Sequence, residues 1–270
     1  MTDSISSSPT VTIITPAYNA EGFIAATLRS AIAQTYGSFE LLVLDDHSKD
    51  RTAEVAEDFA RQDDRIRVIR LPRNYGAPAG PRNVGIQQAR GKWIAFLDAD
   101  DIWHPDKLRI QIEALEKSGA RFCSTQMTDF VDESELKFGP VGAYAIRRIS
   151  FLSQLVKYQT PTSSVMVDAQ TLRATPFNED PAYKAREDLD CWLKCHERLG
   201  YSIKVQYPLM GYRQSPQQIS GKKLQMVGRH YHVLKKYRLD NGRGLGPGAA
   251  LFTATHFLSA LPVRLLGGGV

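Results

Sequence analysis

The sequence predicts an α/β protein with a mainly parallel central sheet flanked by helices. Short apolar runs alternate with longer amphipathic segments four times before Asp101, at roughly 30-residue spacing. Such alternation is typical of parallel strands joined by helical crossovers. With 270 residues and 43% hydrophobic content, the chain is long enough to bury a substantial core.

The first half of the chain is predicted to contain four strands and three helices. The opening run, residues 11–15, is β-branched throughout and stops at Pro16, as expected of a buried strand. Phe23, Ile24 and Leu28 mark the apolar side of the next helix. The strands are predicted at residues 11–15, 39–44, 65–71 and 92–97, and the helices at residues 20–34, 52–61 and 80–89.

The regular alternation ends after Asp101. Pro105 opens an amphipathic helix, and later elements are predicted at residues 121–127, 151–156, 163–167, 187–199 and 203–206, with a polar loop or hairpin at residues 132–145. We therefore divide the chain into a disordered start (1–10), a donor-binding half (11–104), an acceptor-binding and catalytic half (105–220) and a helical tail (221–270).

Positive charge is concentrated in the tail. The formal net charge is +5, and residues 221–270 hold eight Lys or Arg against one acid, Asp240. The segment 248–261 is apolar but too short to span a bilayer. Four other apolar residues recur at helical spacing: Leu224, Val227, Tyr231 and Leu234. The tail is predicted either to cover the body of the protein or to attach it peripherally to an anionic membrane through residues 222–264, and not to bind nucleic acid.

The cysteines and the opening residues predict a cytoplasmic location. Cys123, Cys191 and Cys195 form an odd set without a Cys-x-x-Cys pair, which suits a reducing compartment. Residues 1–10 are polar and lack the apolar core of an export signal. Cys191, Cys195 and His196 are predicted to be neighbours on one helix face and not a metal site.

Three carboxylates follow the fourth predicted strand. Asp98, Asp100 and Asp101 repel one another unless a positive charge lies among them. The hard cations Mg²⁺ and Mn²⁺ take such oxygen ligands and share them with substrate phosphates. Because sheets of this class bind ligands at the carboxyl ends of their strands, Asp98 and Asp100 are predicted to hold Mn²⁺ or Mg²⁺. A solvated acidic turn is the alternative.

Polar clusters follow the other three strands as well. Loops at successive carboxyl ends of a parallel sheet converge on one crevice. An aromatic ring, carboxylates that pair with base or ribose, a guanidinium and a metal site together describe a pocket for a nucleoside diphosphate. The residues that supply them are Pro16, Ala17, Tyr18 and Asn19 after the first strand, Asp45 and Asp46 after the second, and Arg82 and Asn83 after the third.

In order and spacing these motifs resemble the inverting glycosyltransferases of family 2, which have the GT-A fold. The resemblance covers about residues 11–220. It implies a hexosyltransferase in bacterial surface polysaccharide synthesis. The matching segments are residues 11–19, Asp45-Asp46-x-Ser48-x-Asp50-x-Thr52, Arg82-Asn83-x-Gly85, Gly91, Asp98-Ala99-Asp100-Asp101, and Glu187-Asp188 before Trp192.

The resemblance also implies roles for individual residues. Asp45 or Asp46 would recognise the uracil and ribose of a UDP-sugar. Asp98 and Asp100 would contact ribose and metal, with Arg82 near the donor. The acceptor would be a hydroxyl of a glycan or a lipid-linked saccharide. The implied donor site is completed by Pro16, Tyr18, Asn19, Asn83 and Ala99.

The reaction needs a general base whatever the family. A sugar hydroxyl is a poor nucleophile until a positioned carboxylate accepts its proton, and direct displacement from the opposite face inverts the anomeric carbon. In the family, a carboxylate at the Glu187-Asp188 position has this role. We expect the base to be Asp188 rather than Glu187. The alternative is that both acids only favour the start of a helix.

One departure from the family pattern concerns the end of the second half. Many relatives carry a His two residues after a Tyr-Arg pair, whereas Tyr212-Arg213 is followed here by Gln214 and Ser215. Arg213 is predicted either to contact a phosphate or to be a structural surface arginine.

Two other classes of protein share parts of this pattern. A nucleotidyltransferase of similar fold would need a Gly-rich phosphate loop after the first strand, where this chain has Pro16-Ala17-Tyr18-Asn19. A non-catalytic module that binds sugar nucleotides is the second alternative, although it would not need every acid of the motifs.

Overall fold

A nine-stranded sheet forms the centre of the protein in the computed structural model, which describes residues 8–157, 159–214 and 223–258. Its strands are β1 (Val11–Ala17), β2 (Phe39–Asp45), β3 (Ile66–Arg70), β4 (Trp93–Phe96), β5 (Ile102–Trp103), β6 (Phe122–Phe130), β7 (Ile146–Ser150), β8 (Met166–Asp168) and β9 (Tyr201–Arg213). They lie in the order β3-β2-β1-β4-β8-β6-β9-β5, and β7 also pairs with β9.

The first four strands form a parallel block. β1 pairs in parallel with β2 on one side and β4 on the other, and β2 pairs in parallel with β3. Beyond this block, β8 is antiparallel to β4 and β6, while β6 and β9 are parallel. β5 and β7 run antiparallel to β9. The predicted α/β class with a mostly parallel sheet is confirmed.

Helices cover both faces of the sheet. They are α1 (Ile24–Ile32), α2 (Thr52–Ala60), α3 (Ala79–Gln88), α4 (Lys107–Ser118), α5 (Phe151–Val156), α6 (Ala169–Ala174), α7 (Glu187–Leu199), α8 (Lys223–Lys236) and α9 (Gly248–Leu258). Ile13 of β1 packs in one core with α1, α2 and α4, whereas Ile14 packs in another with α3, α6 and α7. Burial on both faces explains why the central strands read as continuous apolar runs.

Two glycines of the motifs allow close packing against β1. A β-carbon at Gly85 would lie 2.8 Å from the side chain of Ile14, and one at Gly91 would lie 2.5 Å from the backbone nitrogen of Thr12. Real atoms do not approach this closely, so a larger residue at either position would push α3 or the turn before β4 away from the sheet. Because α3 carries Arg82, the position of that guanidinium depends on this packing.

The second half differs most from the sequence-based expectation. The pattern predicts a last strand at residues 203–206, whereas β9 continues to Arg213 because β5, β6 and β7 all pair along it. The short β5 and the arginine-containing β7 are not predicted. The polar segment 132–145 is a loop that begins with a 3₁₀ turn, Glu133–Glu135.

The tail packs on the body through an apolar core. Val233 and Leu234 of α8, with Tyr237 directly after this helix, share this core with Leu189 and Leu193 of α7. α8 therefore covers α7, and truncation of the tail would expose these residues. None of the helices within the described ranges is long and apolar enough to cross a membrane.

The buried stripe of α8 is not the predicted one. Of the predicted residues, Leu234 is buried, Val227 is half-buried and Tyr231 is exposed. Helical spacing fixes the period of a stripe but not which of two adjacent stripes meets the body. The buried positions of α8 are Met226, His230, Val233 and Leu234, and Tyr237 directly after the helix is buried as well.

Several sequence-based expectations fall outside the described residues. They concern residues 1–7 of the predicted disordered start, Ser215, Lys222, the side chain of Leu224, and the end of the tail from residue 259, which includes Leu261 and Arg264.

Candidate active site

A cleft of about 1110 Å³ opens at the carboxyl ends of β1, β2 and β4. This volume is slightly above the usual range of a pocket for one small ligand. Asp45, Asn83 and Arg213 do not line the cleft. The predicted site residues that do are Pro16, Tyr18, Asn19, Asp46, Arg82, Asp98, Ala99, Asp100, Glu187 and Asp188.

Asp46 ties together the loops that follow β1, β2 and β3. Its N–H donates to the Ala17 carbonyl at 2.8 Å, and its Oδ1 accepts from the Tyr75 N–H at 2.8 Å. Asn74 Nδ2 donates to the Asp46 carbonyl at 2.8 Å. Burial raises the pKa of Asp46, and the hydrogen bond from Tyr75 opposes that rise. This part of the wall is therefore held by the protein's own hydrogen bonds.

Tyr18 and Asn19 form the turn after β1. Asn19 has a φ of 48°, a left-handed conformation that Asn tolerates better than most residues. Its Oδ1 accepts from the Lys49 N–H at 2.8 Å, and its N–H donates to Ser48 Oγ at 3.1 Å. The turn leaves Tyr18 49% exposed in the cleft wall, where its ring can stack on a base.

Arg82 is a buried cation that connects two carboxylates. Its Nη2 donates to Asp98 Oδ1 at 2.7 Å, and its Nη1 donates to Glu187 Oε1 at 3.1 Å. Although burial opposes the charge, the carboxylates of Asp98 and Glu187 raise the pKa of Arg82. Arg82 therefore stays charged beside the cleft and fixes the end of β4 relative to the start of α7.

The three acids after β4 crowd one another. Burial and the charge of Asp98 raise the pKa of Asp100 to about 6. Burial, with the charges of Asp100 and Asp98, raises the pKa of Asp101 well above its usual value. Asp101 Oδ1 accepts from the Arg213 N–H at 3.1 Å, but Asp101 Oδ2 is buried without a hydrogen-bond partner in the described part of the chain. A cation added here would lower both pKa values.

The acids fit a divalent cation whose ligand set a substrate completes. Within residues 8–157, 159–214 and 223–258, no three acidic, imidazole or thiol groups form a metal site by themselves. Mg²⁺ at phosphate sites usually takes one or two carboxylates and draws its other ligands from water and phosphate oxygens. Asp100 lines the cleft and suits this role better than Asp98, which already accepts from Arg82.

The two acids at the start of α7 have different surroundings. Glu187 is buried against Arg82, and burial together with the charge of Asp188 raises the pKa of Glu187. Asp188 is half-buried in the cleft wall, where Thr162 Oγ1 donates to its Oδ2 at 3.4 Å. Of the two acids, Asp188 is the more accessible to a substrate.

Asp45, Asn83 and Arg213 belong to the framework around the cleft. Asp45 is buried at the end of β2. Asn83 Nδ2 donates to the Phe177 carbonyl, and its Oδ1 accepts from the Phe177 N–H, both at 2.9 Å. The surface location considered for Arg213 is wrong, because the residue is buried and its Nε donates to the Asp100 carbonyl at 2.9 Å. Arg213 thereby positions Asp100.

His196 is a structural residue and not a metal ligand. Its Nδ1–H donates to the Trp192 carbonyl at 2.7 Å, and its Nε2 accepts from Ser202 Oγ at 2.8 Å. Burial lowers the pKa of His196 to about 4. Cys191 and Cys195 are buried in the same region of α7, in line with the predicted helix face.

The sequence motifs do not identify the basic residues of the opposite cleft wall. These residues come from β7, β9 and loops of the second half, where no strand-end motif marks them. Only Lys204 has a sequence context that could indicate a role in the site, because it is a charged residue between the apolar Ile203 and Val205 of a predicted strand. Besides Arg82, the cations that line the cleft are Arg147, Lys157, Lys184, Arg186 and Lys204.

Comparison with known proteins decides the family. The family model described as "Glycosyl transferase family 2" matches residues 12–175. The chain belongs to this family. As a member of glycosyl transferase family 2, the protein is a glycosyltransferase, and the resemblance seen in the sequence is confirmed.

Two relatives from Escherichia coli match most of the chain. The Escherichia coli UDP-Glc:alpha-D-GlcNAc-diphosphoundecaprenol beta-1,3-glucosyltransferase WfgD is 34% identical over 226 residues, which cover 83% of this chain and 85% of that protein. A second E. coli enzyme with the same description, WfaP, is 31% identical over 233 residues, which cover 83% of this chain and 85% of that protein.

Solved structures share the fold. S. aureus TarS 1-349 in complex with UDP-GlcNAc has a TM-score of 0.72 at 18% identity, covering 94% of this chain and 74% of that chain. The Pyrobaculum calidifontis mannosyltransferase PcManGT, in complex with GDP-Man and Mn²⁺, has a TM-score of 0.64 at 16% identity, covering 98% of this chain and 77% of that chain. At these identities the likeness concerns the fold alone, and it confirms the GT-A fold.

Proposed function

We propose that this glycosyltransferase inverts the anomeric carbon as it moves a sugar from a UDP donor to a hydroxyl of a glycan or lipid-linked acceptor. The observation that carries the proposal is a single cleft lined by the Asp188 carboxylate, the Arg82 guanidinium and the acids Asp98 and Asp100. These are the groups the reaction needs: a base for the acceptor, positive charge for the leaving diphosphate, and ligands for a divalent cation.

The donor's nucleoside would lie against the loops after β1 and β2. Tyr18 offers a ring for stacking on the uracil. Asp46, the cleft-lining member of the Asp45-Asp46 pair, offers an acceptor for the base or ribose. The hydrogen bonds that join these loops support this assignment, because a wall already ordered loses little entropy when a ligand binds.

The leaving diphosphate would lie beside Asp98, Asp100 and Arg82. Asp100, with Asp98, would hold Mn²⁺ or Mg²⁺, which when bound neutralises charge on the departing UDP. Arg82 would contribute to the same neutralisation. Since Arg82 is fixed between Asp98 and Glu187, it needs no rearrangement in the transition state.

Asp188 would accept the proton of the acceptor hydroxyl as the oxygen attacks the anomeric carbon. The new C–O bond forms while the bond from the anomeric carbon to the β-phosphate oxygen breaks, and UDP leaves from the opposite face. Thr162, which donates to Asp188 Oδ2, would orient the carboxylate toward the incoming hydroxyl.

The relatives support a lipid-linked acceptor. WfgD and WfaP are both named for the transfer of glucose to GlcNAc on diphosphoundecaprenol. We propose an acceptor of the same chemical class for this protein, in bacterial surface polysaccharide synthesis.

We also propose peripheral attachment to the inner face of an anionic membrane, where such an acceptor would reside. α5 packs against α9, and both helices present large apolar side chains to solvent. Each basic residue near an anionic surface contributes about 1 kcal/mol, and exposed lysines at the end of α8 supply such charge. The residues concerned are Leu152, Val156, Leu251 and Leu258, with Lys235 and Lys236.

Titration with UDP, with and without Mn²⁺, tests the donor site, and product analysis tests the transfer. We expect Mn²⁺ to raise the affinity for UDP and Asp100→Asn to remove that rise without loss of fold. Incubation with UDP-sugars and a membrane lipid extract should yield a glycosylated lipid detectable by mass spectrometry.

The other outcomes separate the alternatives. UDP binding without transfer to any lipid or glycan would favour a non-catalytic module. Release of pyrophosphate from UTP and a sugar phosphate would favour a nucleotidyltransferase. Absence of UDP binding in the presence of Mn²⁺ would contradict the donor site.

A further inference from the structure

Two cations lie directly opposite each other at the edge of the cleft. Arg147 of β7 and Lys204 of β9 are partners in the antiparallel ladder, and both line the cleft. Like charges at directly opposed positions destabilise a sheet. The pair therefore costs the folded protein stability unless something negative lies near it.

The described residues do not supply that negative charge. In the described part of the chain, no carboxylate forms an ion pair with Arg147, Lys157 or Lys204. Lys204 Nζ donates to the Gln159 carbonyl at 2.7 Å, and Arg147 donates to the Gln159 side chain. Both cations thus donate to a neutral residue, Gln159, and no carboxylate of the described residues pairs with either.

The pKa of Lys204 reflects this excess of positive charge. Burial, followed by the charges of Arg147 and then Lys157, lowers the pKa of Lys204 to about 8. Because Lys204 is half-buried, solvent and salt screen it from these two cations less than they would screen an exposed lysine. A bound anion would reverse the effect, because it favours the charged form of the amine.

The cations lie a short way along the cleft from the proposed base. Gln159 anchors Arg147 and Lys204, and Thr162, three residues later, donates to Asp188. Three residues of extended chain span at most about 11 Å. If a hydroxyl of an acceptor sugar contacts Asp188, a substituent on the opposite side of that sugar would therefore lie close to the cations.

We propose that Arg147, Lys157 and Lys204 bind the phosphate groups that join the acceptor sugar to its lipid carrier. The proposal rests on the function proposed above and adds to it the residues that recognise the acceptor. The tail contributes apolar surface to the same cleft through Met226 and Phe257. These side chains would contact the first carbons of the carrier, which a free phosphate lacks.

Calorimetric titration with octyl diphosphate tests the proposal. The protein is first saturated with UDP, with equal Mn²⁺ in cell and syringe, so that the donor's diphosphate site is occupied. We expect wild-type protein to bind octyl diphosphate and the double variant Arg147→Gln with Lys204→Gln to bind it about tenfold more weakly or worse. Inorganic pyrophosphate should bind more weakly than octyl diphosphate, since it cannot contact Met226 and Phe257.

A matched pair of substitutions controls for the loss of charge. Arg29→Gln with Lys117→Gln changes the same two residue types at exposed positions outside the cleft, and octyl diphosphate binding should stay at the wild-type level. Unchanged UDP affinity in the Arg147→Gln, Lys204→Gln variant shows that the fold and donor site are intact.

Three results would overturn the proposal. They are wild-type affinity for octyl diphosphate in the double variant, equal affinity for octyl diphosphate and pyrophosphate, and displacement of UDP by octyl diphosphate. Failure of the proposed function would give a different result. Wild-type protein would then not bind UDP, and the difference in octyl diphosphate affinity between wild type and the double variant would still test the role of Arg147 and Lys204.

Discussion

The two walls of the cleft carry opposite charge and are stabilised in different ways. The acidic wall comprises Asp98, Asp100, Glu187 and Asp188, and the basic wall comprises Arg147, Lys157 and Lys204. The acidic wall includes its own counterion, because Arg82 bridges Asp98 and Glu187. Arg147 and Lys204 of the basic wall have no such counterion in the described residues, since both donate to the neutral Gln159. The acidic wall thus has its counterion before any ligand arrives, whereas we expect a ligand to supply the negative charge for Arg147 and Lys204.

The difference also shows what each wall can select. Fixed dipoles and charges suit the part of the site where the reaction occurs, because they stabilise the transition state without having to rearrange. Uncompensated charge suits recognition of a charged group that does not react, because binding relieves repulsion already present. We therefore assign chemistry to the acidic wall with Asp188, and substrate selection to the basic wall.

The substitution Asp188→Asn tests the chemical role of the acidic side and has the largest expected effect. The carboxamide keeps the size of the side chain but cannot accept a proton, so turnover should fall by about 10² or more. UDP affinity, measured by calorimetry, should stay at the wild-type level.

Asp64→Asn provides the control, because it makes the same chemical change at an exposed turn before β3. Wild-type turnover in Asp188→Asn would count against the general base. A product that retains the donor's anomeric configuration would count against inversion.

The substitution Arg82→Met removes the counterion of the acidic wall. Glu187, whose side chain is 4% exposed, would then be buried beside Asp98 without a cation. Loss of one partner of such a buried pair typically costs about 3–5 kcal/mol, which denaturant unfolding would measure as a lower free energy of unfolding.

Arg61→Met is the matched control, since Arg61 pairs with Asp58 at the surface with its side chain 69% exposed. An exposed pair contributes about 0–1 kcal/mol. An equal decrease in the free energy of unfolding in Arg82→Met and Arg61→Met would show that Arg82 is not the counterion on which the acidic wall depends.

Substitutions on the proposed membrane surface have the smallest expected effect. They test whether the protein attaches to the membrane in which a lipid-linked acceptor of the basic wall would reside. The double variant Leu251→Glu with Leu258→Glu adds negative charge at residues that are 61% and 65% exposed. Full-length protein of this variant should pellet with anionic liposomes several-fold less than wild type at low salt.

Val131→Glu is the control, because Val131 is 64% exposed on a loop after β6. If wild-type and Leu251→Glu, Leu258→Glu protein both stay in the supernatant, the tail serves only to cover α7 and the membrane proposal fails.

The acidic wall could be predicted from the sequence because it follows from local rules. Buried parallel strands read as apolar runs, and their carboxyl ends meet at one edge of the sheet. Asp46, Arg82 and Asp98 each follow such a run or begin the helix after it, so their convergence on the cleft needed no knowledge of side-chain contacts.

The basic wall could not be predicted, because it depends on contacts between distant segments. Arg147 meets Lys204 only through the register of β7 against β9, and β7 has no apolar pattern that would mark it as a strand. The stripe of α8 was misplaced for a similar reason: contact with α7, and not the helical period, determines that Tyr231 is exposed and Val233 buried.

A crossed titration tests the separation of the two walls most directly. Asp100→Asn and the Arg147→Gln, Lys204→Gln variant are each titrated with UDP plus Mn²⁺ and, after saturation with UDP and Mn²⁺, with octyl diphosphate. Asp100→Asn should lose the Mn²⁺-dependent gain in UDP affinity and keep octyl diphosphate binding, and the second variant should show the reverse. The account would be contradicted if either variant bound both ligands equally more weakly, or if both variants kept wild-type affinity for both ligands. Neither result fits a cleft with one wall for the donor and one for the acceptor.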